Sequence, residues 1–194
     1  MDYRRTDRSG ERRAVARRAF GVALLLLIAF TLAGCRSVDW FLLKRALRAK
    51  FSDVDWITTQ ELAAWLHSKE RPAPVLLDVR TPAECEVSHL AGARRVDPEA
   101  SAAEAGSGLP KGTPIVAYCS VGYRSGEVAR RLRKAGFEHV QDLEGSIFQW
   151  ANEGRPLVRD GNQKVTKVHP YNATWGRLLH DDVRAKVPAP SPAR

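Results

Sequence analysis

Residues 115–125 decide the fold of this chain and read Ile115-Val116-Ala117-Tyr118-Cys119-Ser120-Val121-Gly122-Tyr123-Arg124-Ser125. The apolar run at 115–118 predicts a buried strand, and the pattern at 127–134 predicts a helix. Cys119 then lies on a tight strand-to-helix loop, where backbone N–H groups and the positive end of the helix converge. Because such surroundings favour a thiolate over a thiol, Cys119 is a candidate nucleophile.

Outward from this stretch, short apolar segments alternate with helical ones over residues 52–160, the length of one domain. Strands are predicted at residues 74–79, 93–96, 115–118 and 139–143. Helices are predicted at 61–66 with Thr59 as the N-cap, from Pro82, within 99–111, at 127–134 and from Ile147. This alternation predicts a parallel sheet with helices on both faces. Ligands of such sheets bind at the carboxyl ends of the strands, where the Cys119 loop lies.

Three motifs within this domain resemble those of rhodanese domains and follow the same order. They are residues 76–84 followed by 89–93, the loop at 115–125, and residues 140–146 followed by Trp150, Gly154 and Pro156. The resemblance implies an α/β, rhodanese-like fold with a central parallel five-stranded sheet flanked by helices. It does not extend to the residues before 52 or after 160.

The same resemblance implies a single-domain sulfurtransferase with Cys119 as the catalytic residue. The thiolate takes a sulfane sulfur from thiosulfate, a polysulfide or a persulfide, holds it as a persulfide and passes it to cyanide or a thiol. The expected partners are a small sulfur-containing anion and a thiol acceptor, and an unidentified protein acceptor also fits. The predicted substrate-binding residues are Ser120, Val121, Gly122, Tyr123, Arg124 and Ser125.

The residue types of the loop suit this chemistry. Backbone N–H groups from Ser120 to Ser125 form the predicted cradle for an anionic sulfur. Gly122 permits a turn that a side chain would obstruct. Arg124 offers a guanidinium fork to an anionic substrate, with pairing to a helix acid as the alternative. Ser125 is expected to cap the following helix or to hydrogen-bond the sulfur.

Residues outside the loop are assigned supporting roles. Asp78 and Arg80 follow a predicted strand close to the site, and we expect them to form ion pairs and hydrogen bonds that fix loops. Glu84 is the suggested partner of Arg80. His89 is interpreted as structural, with a general base as the alternative.

Cys85 stands where rhodanese domains usually carry an aromatic residue. It is interpreted as a partly buried apolar filler, and the alternative is a resolving thiol or disulfide partner for Cys119. The three cysteines are too widely spaced to predict a metal site, and no cofactor is expected. Tyr123 and Trp150 are candidate walls of the pocket.

The length of the cysteine loop separates the alternative functions. The related phosphatases and arsenate reductases use a loop one residue longer, which fits a tetrahedral oxyanion. Cys119 to Arg124 spans the shorter length that the resemblance associates with sulfur transfer. A module that binds sulfur or senses redox state without turnover remains the non-enzyme alternative.

The first 34 residues have the layout of a signal peptide. An arginine-rich start precedes an apolar run at residues 20–33, which is short for a membrane span. The ending Leu32-Ala33-Gly34-Cys35 resembles a bacterial lipoprotein signal, which implies lipidation at Cys35 and a membrane anchor facing the periplasm. An uncleaved signal anchor is the alternative. Both general and twin-arginine export stay open, and Arg36 after the cysteine favours the outer membrane.

The remaining segments are assigned from composition. Residues 36–51 form a basic amphipathic helix or linker, which either lies on an anionic membrane or packs its apolar stripe on the domain. Residues 161–194 form a C-terminal extension that is partly disordered near its Pro-rich end. The net charge is +9, of which residues 1–34 supply +4. The positive net charge of the remaining residues is small, and their Lys and Arg residues form no stripe. Both observations argue against a nucleic-acid partner.

Overall fold

The computed structural model describes residues 39–187. The predicted signal segment at 1–34, the lipidation site Cys35 and the Pro-rich end at 188–194 lie outside the described residues. From Leu42 onward the described chain forms one compact unit. No helix within residues 39–187 is long and apolar enough to span a membrane.

Helices and strands alternate along the chain. The helices are α1 at 39–50, α2 Thr59–His67, α3 Pro82–Val87, α4 Ala102–Ala105, α5 Tyr123–Lys134, α6 Ser146–Asn152 and α7 Ala173–Gly176. The strands are β1 Asp55–Ile57, β2 Val75–Asp78, β3 Arg94–Arg95, β4 Ile115–Tyr118, β5 Val140–Leu143, β6 Leu157–Arg159 and β7 Gln163–Val165.

Five of these strands form one parallel sheet in the order β1-β5-β4-β2-β3. The parallel five-stranded sheet with flanking helices, which the sequence resemblance implied, is confirmed. The central strand β4 is fully buried, and its residues Ile115 and Ala117 pack in one apolar cluster with Val128 and Leu132 of α5. The loop that follows β4 therefore begins at the carboxyl edge of the sheet, between two neighbouring strands.

Strand β1 and the pair of strands β6 and β7 were not predicted from the sequence. β1 is three residues long and begins with an exposed aspartate, so it shows neither an apolar run nor a clear alternation. It forms because Asp55–Ile57 can complete the hydrogen bonding of β5 at the sheet edge. The antiparallel pair β6 and β7 is equally short.

Three predicted helix starts were wrong, and one of them is that of α6, which begins at Ser146 rather than Ile147. The N-cap of α2 is Thr58, one residue before the predicted Thr59, and it forms a capping box with Glu61. α5 begins at Tyr123 rather than Glu127, because Gly122 takes a left-handed conformation with φ of 112° and turns the loop straight into the helix. Ser125 consequently lies inside α5 and does not cap it.

The apolar stripe of α1 from Leu43 onward packs on the domain. Leu47 and Phe51 are buried in the same cluster as the sheet, and Leu43 packs against that cluster. Phe51 is accommodated by Gly126 of α5, where a Cβ atom would lie only 2.8 Å from its ring. On the basic side, Arg48 Nε donates to Glu144 at 2.8 Å. Residues 36–51 were interpreted either as a membrane-surface helix or as a helix packed on the domain. From Leu43 onward its apolar side chains pack on the domain.

Candidate active site

The cysteine loop leaves β4 and directs the backbone N–H of Gly122 at the sulfur of Cys119. Cys119 is 1% exposed, and the N–H of Gly122 donates to its Sγ at 3.1 Å. The N–H of Cys119 itself donates to Oγ of Ser146 at 3.1 Å, and that hydroxyl donates to the carbonyl of Leu143. Ser146 has a φ of 49°, in the region that glycine prefers. Its hydroxyl therefore ties the loop after β4 to the end of β5.

The surroundings of Cys119 favour the thiolate. Burial is the largest influence on its pKa and opposes ionisation, but the positive charge of Arg124 and polar hydrogens of Ser125 and Gly122 outweigh it. The net effect lowers the pKa of Cys119 below its ordinary 9.0. The position at the start of the twelve-residue helix α5 adds to this preference for negative charge.

Arg124 is paired with a buried acid beside the thiolate. Its two terminal nitrogens each donate to one carboxylate oxygen of Glu84, both at 2.8 Å, and Nη2 also donates to Oγ of Ser120 at 2.9 Å. The Ser120 hydroxyl in turn donates to Glu84 at 2.9 Å. Burial is the largest influence on Glu84, but the bonds and charge of Arg124 and the bonds of Thr81 lower its pKa to about 2. The structure therefore shows the alternative arrangement, in which Arg124 pairs with an acidic residue on a helix.

The expected Arg80–Glu84 carboxylate pair is wrong. Arg80 is fully buried and forms a two-pronged ion pair with Asp78, at 2.8 and 2.6 Å. It donates to the backbone carbonyls of Glu84 and Ser88 rather than to the Glu84 carboxylate. The hydroxyl of Tyr118 also donates to Asp78, at 2.8 Å. Asp78 and Arg80 therefore fix the chain around α3, and α3 presents Glu84 to Arg124.

Asp142 is a buried acid that the sequence analysis did not single out. Its carboxyl lies under the loop, and a Cβ atom on Gly122 or Gly126 would come within 3.6 or 3.1 Å of its Oδ2. Neither oxygen has a hydrogen-bond partner among residues 39–187. Burial, followed by the nearby Cys119 thiolate, raises the pKa of Asp142 well above 3.8, which favours the neutral acid. No sequence signal marked it, because it falls inside an ordinary predicted strand.

A cavity of about 250 Å³ opens onto the loop. Its lining residues are Cys119, Ser120, Val121, Tyr123, Arg124, Tyr171 and Trp175. Of the two candidate walls, Tyr123 lines this cavity, whereas Trp150 does not: it is buried, and its indole N–H donates to the carbonyl of Pro156 at 2.9 Å. Tyr171 and Trp175 were missed as site residues, because they lie beyond residue 160, where the resemblance ends.

The predicted site residues thus fall into two groups. Cys119, Ser120, Val121, Tyr123 and Arg124 line the cavity, Gly122 donates its N–H to the sulfur, and Ser125 contributes to the lowered pKa of Cys119. His89 joins Val158 through two backbone hydrogen bonds, and its ring Nδ1 lies 3.2 Å from the carbonyl oxygen of Cys85, which fits a structural role.

Cys85 differs from Cys119 in reactivity. Both are free thiols, but burial, with the nearby Asp78 carboxylate as the next contributor, raises the pKa of Cys85 to about 12. Such a thiol is a poor attacking group at neutral pH. Within residues 39–187, no group of three or more His, Cys, Asp or Glu side chains is arranged to hold a metal ion.

The fold and the site together define a parallel α/β domain with a loop that carries a buried cysteine at the carboxyl edge of its central strand. Residues 58–153 match the family model of the rhodanese-like domain. The chain belongs to the rhodanese-like family.

Named relatives and solved structures agree with this membership. The probable adenylyltransferase/sulfurtransferase MoeZ of Mycobacterium tuberculosis is 38% identical over 103 residues, which are 52% of this chain and 25% of that protein. A sulfurtransferase of Allochromatium vinosum is 34% identical over 43% of this chain and 78% of its own length. The crystal structure of the Alr3790 protein from Anabaena sp. matches with a TM-score of 0.50 and 30% identity, over 55% of this chain and 83% of that one. The chain therefore spans only a quarter of the mycobacterial relative.

Proposed function

We propose that this protein is a sulfurtransferase that carries a sulfane sulfur on Cys119 as a persulfide. The observation that carries the proposal is the Gly122 N–H directed at Sγ of Cys119, 3.1 Å away, in a short loop at the end of the central strand. The family membership and the sulfurtransferase names of two relatives support the same class of reaction. The donors are thiosulfate, a polysulfide or a persulfide, and the acceptors are cyanide or a thiol.

In the first step, the Cys119 thiolate attacks the outer sulfur of the donor. The new S–S bond forms as the donor's own bond to that sulfur breaks, and its electron pair leaves with sulfite or with a thiolate. The lowered pKa supplies the attacking anion without a separate base. Backbone N–H groups such as that of Gly122 are already oriented, so they can stabilise the charge on the persulfide without reorganising.

In the second step, cyanide or a thiolate attacks the outer sulfur of the Cys119 persulfide. The S–S bond breaks, thiocyanate or a new persulfide departs, and the electron pair returns to Cys119 as thiolate. Arg124 stabilises this returning charge from a position that Glu84 and Ser120 fix. Cys85 has no part in the cycle, because its raised pKa keeps it protonated at neutral pH.

A persulfide assay tests the proposal directly. The full-length protein is incubated with thiosulfate, a thiosulfonate or an inorganic polysulfide, and the Cys119 peptide is examined by mass spectrometry. We expect the mass of one added sulfur on that peptide, its loss on adding cyanide, and thiocyanate formation abolished in Cys119→Ala. Cys85→Ala is the matched control and should keep full turnover. If no donor produces a persulfide on Cys119, the proposal fails.

We further propose that the protein is exported and anchored to a bacterial membrane through lipid on Cys35. The support lies in the sequence alone: the arginine-rich start, the apolar run at 20–33 and the small residues before Cys35. Incorporation of labelled fatty acid should be lost in Cys35→Ala and kept in Cys85→Ala. Label that persists in Cys35→Ala would refute the anchor.

A further inference from the structure

The C-terminal segment returns to the cysteine loop and completes its cavity. Tyr171 and Trp175, both beyond the part of the chain that matches the family model, line the cavity with Val121 and Tyr123. Tyr171 also covers the guanidinium of Arg124, with 4.8 Å between the guanidinium carbon and the ring centroid. Aromatic and aliphatic side chains thus surround the approach to the sulfur.

This segment is held in place by contacts away from the cavity. Val168 is buried, and backbone hydrogen bonds join it to Val183 at 2.8 Å and Ala185 at 2.9 Å. The side-chain amide of Asn152 donates to the carbonyl of Leu178 and accepts from the N–H of His180, both at 2.8 Å. The backbone is therefore anchored before Tyr171 and after Trp175, on the second side by α6.

The charges around the cavity are already paired. Among the described residues, Arg124 is the charged residue that lines the cavity, and each terminal nitrogen of its guanidinium donates to Glu84. Lys50 lies 5.0 Å from the centroid of the Tyr123 ring, and its ammonium is 3.6 Å from the Glu127 carboxylate. A dianion entering the cavity would have to compete with these carboxylates for each cation, while leaving its water shell.

The volume also exceeds what a small inorganic anion needs. An apolar cavity of about 150 Å³ is large enough to hold benzene. The cavity here, of about 250 Å³, has room for the transferred sulfur and a ring-sized substituent. Contact of such a substituent with Tyr171 and Trp175 would bury apolar area on both partners.

Resting on the proposed function, we propose that the sulfur donor of this site is an organic sulfane-sulfur compound with an apolar, ring-sized substituent, and that the C-terminal residues Tyr171 and Trp175 select it over thiosulfate. With an aromatic thiosulfonate as the probe, the Cys119 thiolate bonds to the terminal sulfur, the bond between that sulfur and the sulfonyl sulfur breaks, and the sulfinate leaves with the electron pair. The persulfide anion on Cys119 and the sulfinate together carry the charge of the two reactants.

The test compares three donors on the full-length protein with cyanide as the acceptor. Benzenethiosulfonate and methanethiosulfonate carry the same charge and differ in their substituent, and thiosulfate is the dianion. Thiocyanate release gives kcat/KM for each donor in the wild type, Tyr171→Ala and Trp175→Ala. Tyr171→Phe is the matched control because it keeps the ring. The rate of Cys119 alkylation checks that the loop is intact in each variant.

We expect the wild type to prefer benzenethiosulfonate over methanethiosulfonate by roughly tenfold or more, in the range that one apolar group contributes to a pocket. Tyr171→Ala and Trp175→Ala should reduce this ratio to near one by lowering kcat/KM for benzenethiosulfonate far more than for methanethiosulfonate or thiosulfate, and Tyr171→Phe should keep the ratio. The intrinsic reactivity of the two thiosulfonates is the same in every variant. It therefore cancels when the ratio of their kcat/KM values is compared between the wild type and a variant.

Equal kcat/KM values for the two thiosulfonates in the wild type, or a loss of the same size for all three donors in the alanine variants, would overturn the inference. So would a kcat/KM for thiosulfate above that for benzenethiosulfonate. Each of these results leaves the persulfide on Cys119 in place. Absence of that persulfide with every donor would instead defeat the proposed function, so the two failures are distinguishable.

Discussion

Glu84 and Arg124 form a two-pronged ion pair beside Cys119, with both N–O distances at 2.8 Å. Glu84 is nearly inaccessible to solvent, and Arg124 reaches it from the first turn of α5. The pair fixes a positive charge close to the sulfur and commits both terminal nitrogens of that guanidinium to Glu84.

Replacing Glu84 with glutamine should release Arg124 toward the cavity. We expect kcat/KM for thiosulfate to rise roughly tenfold in Glu84→Gln, because a charge-assisted hydrogen bond to the substrate contributes about 1.5 kcal/mol. The free energy of unfolding should fall by roughly 3 kcal/mol, since one partner of a buried pair is removed. Steady-state assays and urea unfolding measure the two effects.

Glu104→Gln is the matched control, because Glu104 also closes a capping box but lies exposed on α4. It should leave thiosulfate turnover unchanged. A fall in kcat/KM for thiosulfate in Glu84→Gln would contradict the view that Glu84 withholds Arg124 from the substrate.

The same pair predicts an acid-sensitive contribution to stability. The pKa of Glu84 is about 2 in the folded protein against an ordinary 4.5, so the unfolded chain takes up its proton at higher pH. The stabilisation is therefore complete above about pH 4.5 and is lost as the pH falls through about 2. The difference in unfolding free energy between wild type and Glu84→Gln should narrow over this range. A difference that stays constant from pH 6 to pH 2 in urea titrations would disprove the assignment.

The two described cysteines should differ sharply in alkylation. Cys119 has a lowered pKa and lines the cavity, whereas the pKa of Cys85 is raised to about 12. With iodoacetamide, the Cys119 peptide should be modified with an inflection below pH 9, and the Cys85 peptide should react little at neutral pH. Peptide mass mapping across pH separates the two.

Cys119→Ser provides the control for this experiment and should leave the slow reaction of Cys85 unchanged. Faster modification of Cys85 than of Cys119 at pH 7 would reverse the assignment of the nucleophile.

The buried pair of Asp78 and Arg80 should matter more for folding than for sulfur chemistry. Asp78→Asn leaves the fully buried Arg80 without its counter-charge, and we expect it to cost about 3–5 kcal/mol in urea unfolding. The pair of Asp53 and Arg130 is the comparison, because it is solvent-accessible. Asp53→Asn should have a much smaller effect. Equal losses in the two variants would mean that burial of Arg80 does not set the cost.

Ser146 joins two strand ends through one hydroxyl. Ser146→Ala keeps the backbone but removes the acceptor of the Cys119 N–H, so a buried donor is left unpaired at a cost of about 1–3 kcal/mol. The measurement is the unfolding free energy together with the alkylation rate of Cys119. Ser101→Ala, which removes an exposed capping hydroxyl, is the control. If Ser146→Ala were no less stable than the wild type, the hydroxyl would have no role in holding the loop.

The local sequence pattern was enough to predict the strand, turn and helix around Cys119. The apolar run at 115–118, the glycine at 122 and the helical segment that follows predict the strand, the turn and the helix from short-range physics alone. They also place Cys119 on a strand-to-helix loop at the carboxyl edge of a parallel sheet. The β1 strand was not predictable in this way, because its three residues adopt strand geometry only by pairing with β5.

Tertiary structure decided the partners of each charge and the walls of the site. Glu84 could bond Arg80 or Arg124 on sequence spacing alone. The choice follows from the packing of α3 against the loop, which directs the carboxylate to Arg124 and the backbone carbonyl to Arg80. The burial of Asp142 and the contact of Tyr171 with Arg124 likewise join residues far apart in the chain. The sequence determines which chemical groups are available. Long-range packing determines which of them come together in a site without water, where interactions between charges are stronger than in solvent.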